Sequence, residues 1–326
     1  MIARLARRSA LGAVTLILAT ALLYAAIRMV PGTPWAEDPS TPPEQIQEWA
    51  ARHHLDRPLP EGYLMWLGDV ARGDLGDSYA VARGEPVSRM ILQAAPTSLV
   101  LGLLGFGAAL AASISLGFAA ARRPGGAWDR SWSITLYALS AAPSFWIAAF
   151  LQDLFAVRWK CLPLLGAGPI DQPEAGILAS IAIRAPYWIL PPICLALGSM
   201  AFLFRFMRAG LLEAVESPSV RAARARGIPL RLLICRHAFA GTRVHLVTLL
   251  GILAPAAIGG SVIIESIFAL PGIGRLFFQA VSTRDYPVVM GVGLVMALAS
   301  VFASALADLL YLAVEPRLRG GHEAPR

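Results

Sequence analysis

The chain has 326 residues, 56% of them hydrophobic and only 15% charged, with a mean hydropathy of +0.60. Soluble domains carry about 25% charged residues, so this composition calls for an apolar environment and excludes an ordinary soluble domain. The formal charge is +7, from 28 basic residues among which Lys160 is the single lysine. The arginines stand between long apolar runs rather than along one polar face, without an aromatic-interleaved basic platform, which argues against nucleic acid as a partner.

A spanning helix needs about 20 mainly apolar residues. Six segments qualify, at 9–30, 97–121, 132–157, 185–204, 244–264 and 288–314. The first follows Arg4, Arg7 and Arg8, but its apolar stretch exceeds that of a signal peptide and it has no convincing small-residue cleavage site. It is predicted to be retained as a helix.

A long segment, 31–95, follows. It opens on Pro31-Gly32-Thr33-Pro34, and a short helix is predicted over 43–52, where Pro gives way to good helix formers. His53 and His54 are expected to be solvated, a metal contact being the alternative. The other long connection is 209–243, and connections of such length usually carry a function. Within it, 220–226 is rich in Ala and Arg, Gly227 is suited to a helix C-terminus, and Pro229 to the first turn of a second helix over 230–234.

Short loops rich in Arg and Lys stay in the cytoplasm. With the N-terminus inside, the inner segments hold 17 basic residues and the short outer loops 5, namely Arg158, Lys160, Arg184, Arg275 and Arg284. The expectation is six helices with both ends inside, which puts 31–95 outside and 209–243 inside.

Several chemistries have no support. With Cys161 after Lys160, no phosphate-cradling Gly-x-x-x-x-Gly-Lys-Ser/Thr loop exists, so ATP hydrolysis would need another chain. His-Glu-x-x-His, Gly-x-Ser-x-Gly and Cys-x-x-Cys are absent, and the three cysteines (Cys161, Cys194, Cys235) form neither a disulfide framework nor a metal set. The chain is not expected to be an enzyme, nor to bind a metal or cofactor itself.

Arg221-Ala222-Ala223, then Arg224 and Ala225, then Gly227, followed by Arg236-His237-Ala238, resembles the EAA loop of ABC importer permeases of the dipeptide, oligopeptide and nickel family. The resemblance extends over nearly the whole chain. It includes 54–60 and 72–76 in the outer segment, Pro143-Ser144-Phe145-Trp146, and Arg205 and Arg208. It is densest in Glu265-Ser266-Ile267-Phe268, Pro271-Gly272-Ile273-Gly274-Arg275-Leu276 and Arg284-Asp285-Tyr286-Pro287. Two departures stand out: Pro218-Ser219 where the family has an acidic–Tyr pair, and His245 where it has Pro.

The resemblance implies an all-α membrane protein of the type I ABC importer permease kind. Its parts would be a tail and first span (1–30), a periplasmic segment (31–95), a core of five spans (96–319) with a coupling loop at about 213–240, and a cytoplasmic tail (320–326). Arg221, Ala222, Ala223, Arg224, Gly227, Arg236 and His237 would dock on an ATPase subunit. Glu265, Pro271, Gly272, Gly274, Asp285, Tyr286 and Pro287 would belong to a re-entrant or gate region at the outer face. Glu265 and Asp308 have two readings, as pathway groups or as local partners of arginines.

The implied partners are a second permease (as a heterodimer), two ATPase subunits that bind ATP and magnesium, and a periplasmic or lipid-anchored binding protein, in a bacterial inner membrane. An ion-coupled secondary transporter is the alternative, and it would require internally repeated halves and central acidic residues. A membrane enzyme is the third class, without a catalytic constellation.

Overall fold

The computed structural model describes residues 2–29, 44, 48, 50–51, 54, 56–168, 182–229, 232–233, 246–249, 251 and 260–314. Helix dominates these residues. In chain order they are α1 (Ile2–Met29), α2 (Leu59–Ala71), α3 (Val87–Arg122), α4 (Ala127–Ala141) and α5 (Ser144–Gln152). A wide turn, Asp153–Arg158, continues α5, and a 3₁₀ turn, Ala185–Trp188, leads into α6 (Leu190–Val215). Then come α7 (Pro218–Ala225), α8 (Val262–Ile267), α9 (Ile273–Ser282) and α10 (Tyr286–Val314).

Four helices among the described residues are long and apolar enough to cross a bilayer, namely α1, α3, α6 with its approach, and α10. The third expected span, 132–157, is not one straight helix: its two halves meet at 100°. The cause is Pro143. A residue before proline is pushed out of the helical region, and Ala142 accordingly sits at φ −80°, ψ 134°, ending α4 before Pro143 starts α5. Counted as one bent unit, α4 and α5 make a fifth crossing.

The fourth span runs further than its apolar core, to Val215, which puts Arg205 and Arg208 on the helix. Most of the predicted fifth span lies outside the described residues. Its expected end at Ile264 is corrected: Gly260 has φ +76°, and Ser261 Oγ accepts from the Ile264 amide at 3.4 Å to cap α8 as a separate element. The helix expected at 43–52 is helical at 44, 48, 50 and 51, the rest lying outside the described residues. Most of the helix expected over 230–234 also lies outside the described residues. His54 is not merely solvated: its Nε2 lies 2.8 Å from Asp69 Oδ2 on α2.

The most extensive helix contact joins α3 to α6. Gly105, Ala109, Ser113, Gly117 and Ala121 recur every fourth residue and so line one face of α3. Small residues let two helices approach closely where no hydrophobic driving force separates protein from lipid. A Cβ on Gly105 would fall 2.7 Å from Leu195 Cδ2, and one on Gly117 3.2 Å from Leu211 Cδ1. Leu203, Met207 and Leu211 bury their side chains in the same seam. The outer faces stay apolar, with Leu22 and Leu103 both more than 60% exposed, as a lipid-facing surface requires.

Helix α1 packs along α10, where a Cβ on Gly12 would meet Val301 Cγ1 at 2.8 Å. Tyr63 pins α2 to α1: its hydroxyl donates to the Ile17 carbonyl (2.9 Å) and lies 2.9 Å from Thr20 Oγ1.

Candidate functional site

Helices α8 and α9 and the start of α10 fold into a corner against α3, and a buried carboxylate sits at its centre. Glu265 is fully buried. Its Oε1 accepts from Ser98 Oγ (2.9 Å) and from the Ser261 amide (3.0 Å), and its Oε2 from the Arg275 amide (3.0 Å). Ser98 Oγ in turn accepts from the Ile273 amide at 2.8 Å. One carboxylate thus joins α3, the start of α8 and the start of α9. A buried carboxylate is tolerable only when so satisfied.

Glu265 was open to pairing with an arginine; the structure replaces that reading. The Arg275 main chain, not its guanidinium, meets Glu265, while Arg275 Nη1 donates to the Ala269 carbonyl at 2.7 Å. The glycines around it leave room for this contact. A Cβ on Gly272 would collide with the Glu265 carboxylate and come within 2.7 Å of Ser98 Oγ, and one on Gly274 would fall 2.7 Å from the Val262 backbone nitrogen. Pro271-Gly272-Ile273-Gly274 therefore does more than end a helix: Gly272 is the N-cap residue of α9.

A second carboxylate ties the 78–81 turn to the same corner. Asp285, also fully buried, accepts through Oδ2 from Ser78 Oγ (2.5 Å) and from the amides of Ala80 and Val81 (both 3.0 Å). Next to it, the Tyr286 amide donates to Tyr79 Oη at 3.1 Å. Burial pushes the Tyr79 phenol well above its ordinary range, so the hydroxyl stays protonated. Pro287 takes the second position of α10, where a missing N–H costs nothing. Glu265, Gly272, Gly274, Asp285 and Tyr286 thus come together, with Pro271 at the exposed edge.

The other group lies at the far end of α6. Two residues separate α6 from α7, whose start is set by Ser217, accepting from the Val220 amide, and by Pro218 in the first turn. The Pro218 that departs from the family pattern is thus a good helix start. Gly227, at φ +79°, donates from its amide to the Arg224 carbonyl at 3.0 Å and closes the helix in the left-handed conformation glycine favours. Val220 and Ala223 turn inward against Leu233, whereas Arg221, Ala222 and Arg224 are exposed. Arg236 and His237 lie outside the described residues.

The sequence reading missed one further pair. Asp129, in the first turn of α4, is 2% exposed, and Arg208 of α6 grips it at two points: Nε to Oδ1 at 2.7 Å and Nη2 to Oδ2 at 2.6 Å. The Gly125 amide also donates to Oδ2, at 2.9 Å. Arg208 stands seven residues before the end of α6, about 10 Å along the helix axis. The available signal was a lone acid just after Gly125-Gly126 and an arginine inside an apolar helix.

Residues 113–320, a stretch that takes in Asp129, Arg208, α7 and the α8–α10 corner, match the family described as the binding-protein-dependent transport system inner membrane component. The chain belongs to this family. This ABC importer permease is 32% identical over 320 residues to the oligopeptide transport system permease protein AppB of Bacillus subtilis (strain 168), covering 98% of this chain and 99% of that one. It is 29% identical to the oligopeptide transport system permease protein OppB of Haemophilus influenzae, with 94% and 95% covered. A chain of the MetNI methionine ABC transporter, solved in inward-facing conformations, is 17% identical with a TM-score of 0.49, covering 70% of this chain and 97% of that one. The permease is a multi-pass membrane component rather than a catalytic subunit, and its family works with a partner permease, an ATPase and a substrate-binding protein.

Proposed function

We propose that this permease pairs with a second, different permease to form the inner-membrane pathway by which dipeptides or oligopeptides enter a bacterial cell. It crosses the membrane six times with both ends inside. Two ATPase subunits, which bind ATP and magnesium, drive it through α7, and a periplasmic or lipid-anchored binding protein delivers the solute to the α8–α10 corner. The likeness to AppB and OppB, permeases of oligopeptide transport systems, supports peptides as the solute class.

The observation that carries the coupling reading is the form of α7. It is an eight-residue helix, capped at both ends, joined by two residues to the long helix α6. Its inward face is apolar and its exposed face carries Arg221 and Arg224 beside the small Ala222. Such a helix docks as a rigid knob, and its displacement passes directly into α6. The Asp129–Arg208 pair then carries that displacement to α4, so that ATP-driven approach of the two ATPases changes the tilt of the spans.

The test reverses the charge of Arg221 and Arg224 and measures co-purification of the ATPase subunits together with peptide uptake. Loss of both is expected. Undiminished association and transport would sink the coupling assignment.

A further inference from the structure

A groove of about 330 Å³ is lined by Ala82 and Glu85 of the segment before α3, Met90, Gln93 and Ala94 of α3, and Pro271, Gly272, Arg275, Leu276 and Gln279 of the α9 region. Its walls are built rather than incidental. Asp285 fixes the 78–81 turn, and the Ser78 amide donates to the Glu85 carbonyl at 2.9 Å, which holds Glu85 in place. Glu265 fixes the opposite wall through the Arg275 amide.

The charges in this groove are unspent. The Glu85 carboxylate has neither a hydrogen bond nor an ion pair among the described residues. The Arg275 guanidinium has five donors and, among the described residues, uses one, toward the Ala269 carbonyl. The two do not pair with each other, although they line one cavity. Gln93 and Gln279 add neutral donors and acceptors beside them. A groove holding an unpaired acid, an unpaired guanidinium and two amides complements a solute that carries an ammonium and a carboxylate close together. Its volume is near the lower end for ligand pockets, about 300–1,000 Å³, and so suits a dipeptide or one end of a longer peptide.

We propose that this groove is a subsite at the outer mouth of the permease for the charged ends of a peptide, with Glu85 receiving the ammonium and Arg275 the carboxylate. The inference rests on the peptide-importer reading above and deepens it. It gives the permease a part in choosing the solute, after the binding protein has released it.

The test uses the complete transporter, with its partner permease, ATPases and binding protein, in proteoliposomes. Uptake of a free dipeptide, its N-acetyl form and its C-terminal amide is measured for wild type, Glu85→Gln and Arg275→Gln. The ratio of variant to wild type for each solute removes the binding protein's own preference. Glu85→Gln should raise KM for the free dipeptide about tenfold, the worth of one charge-assisted hydrogen bond, and leave the N-acetyl form unaffected. Arg275→Gln should do the same for the carboxylate, sparing the amide.

Equal effects on all three solutes, or none, would overturn the subsite; equal loss with weakened binding-protein association would make the groove a protein contact instead. The Glu85 side chain carries no structural bond among the described residues, so its variant stays informative if Arg275→Gln fails to assemble. Failure of the importer reading itself looks different: the wild-type assembly would then show no ATP-dependent dipeptide uptake.

Discussion

Replacing Glu265 by Gln tests whether one carboxylate holds the α8–α10 corner together. The change preserves shape and volume but turns one acceptor oxygen into an amide donor. Whichever way the amide is turned, it confronts a donor, either the Arg275 amide or the pair formed by Ser98 Oγ and the Ser261 amide. Hydrogen bonds to a charged acceptor contribute about 1.5–3 kcal/mol, and a buried donor left unpaired costs about 1–3 kcal/mol, so a loss of about 2–4 kcal/mol is expected. Ser98→Ala removes one bond to Glu265 and the acceptor for the Ile273 amide, for about 1–3 kcal/mol. Glu265→Ala removes all three bonds and leaves a cavity, so it should be the most damaging. At about 2–4 °C per kcal/mol, the thermal midpoint of the purified transporter should fall by roughly 5–15 °C for Glu265→Gln. The predicted order of damage is Glu265→Ala, then Glu265→Gln, then Ser98→Ala, with uptake falling in parallel. A Glu265→Gln transporter that melts and transports like wild type would refute the anchoring role.

Two further outcomes follow from the same geometry. Asp129→Asn keeps the shape but removes the charge from a two-point grip on Arg208, whose side chain is 32% exposed, so the stability loss should be about 1.5–3 kcal/mol, the worth of a hydrogen bond to a charged group. Uptake per ATP hydrolysed should fall several-fold while the ATPases still co-purify; unchanged coupling would show the pair to be structural only. Gly274→Ala drives a methyl against the Val262 main chain, which cannot rotate away, and overpacking of this kind costs about 1–3 kcal/mol or more. Lower yield of folded protein and a lower midpoint on size-exclusion melting should report it, whereas the equally apolar Gly198→Ala, with open space around its Cβ position, should be silent.

The parts of the fold legible in the sequence were those set by local pattern. Apolar length announced α1, α3, α6 and α10, and Gly227 announced the end of α7, because span length and left-handed backbone leave local marks. The break at Pro143 was equally visible but masked by the apolar run from 132 to 151 on either side of it. The approach of α3 to α6 was written in small residues every fourth position, a pattern easily lost in a chain so rich in glycine and alanine.

What stayed hidden depended on partners far apart in sequence. Asp129 meets Arg208 across 79 residues, and Asp285 meets Ser78 across 207. Glu265 could be singled out as an ionisable group near a span end, but its true partners are mostly backbone amides, which every residue has and no motif announces. The same holds for the groove: Glu85 and Arg275 are far apart in sequence and line one cavity only in the folded chain.

The central claim is that this chain is a passive half-pathway powered by separate ATPase subunits. Peptide uptake into proteoliposomes by the complete assembly, compared with the permease pair lacking its ATPases under an imposed proton or sodium gradient, tests it most directly. The account predicts uptake that requires both the ATPases and ATP, and none from the permeases alone. Gradient-driven accumulation by the permeases without ATPases would contradict it and identify a secondary transporter.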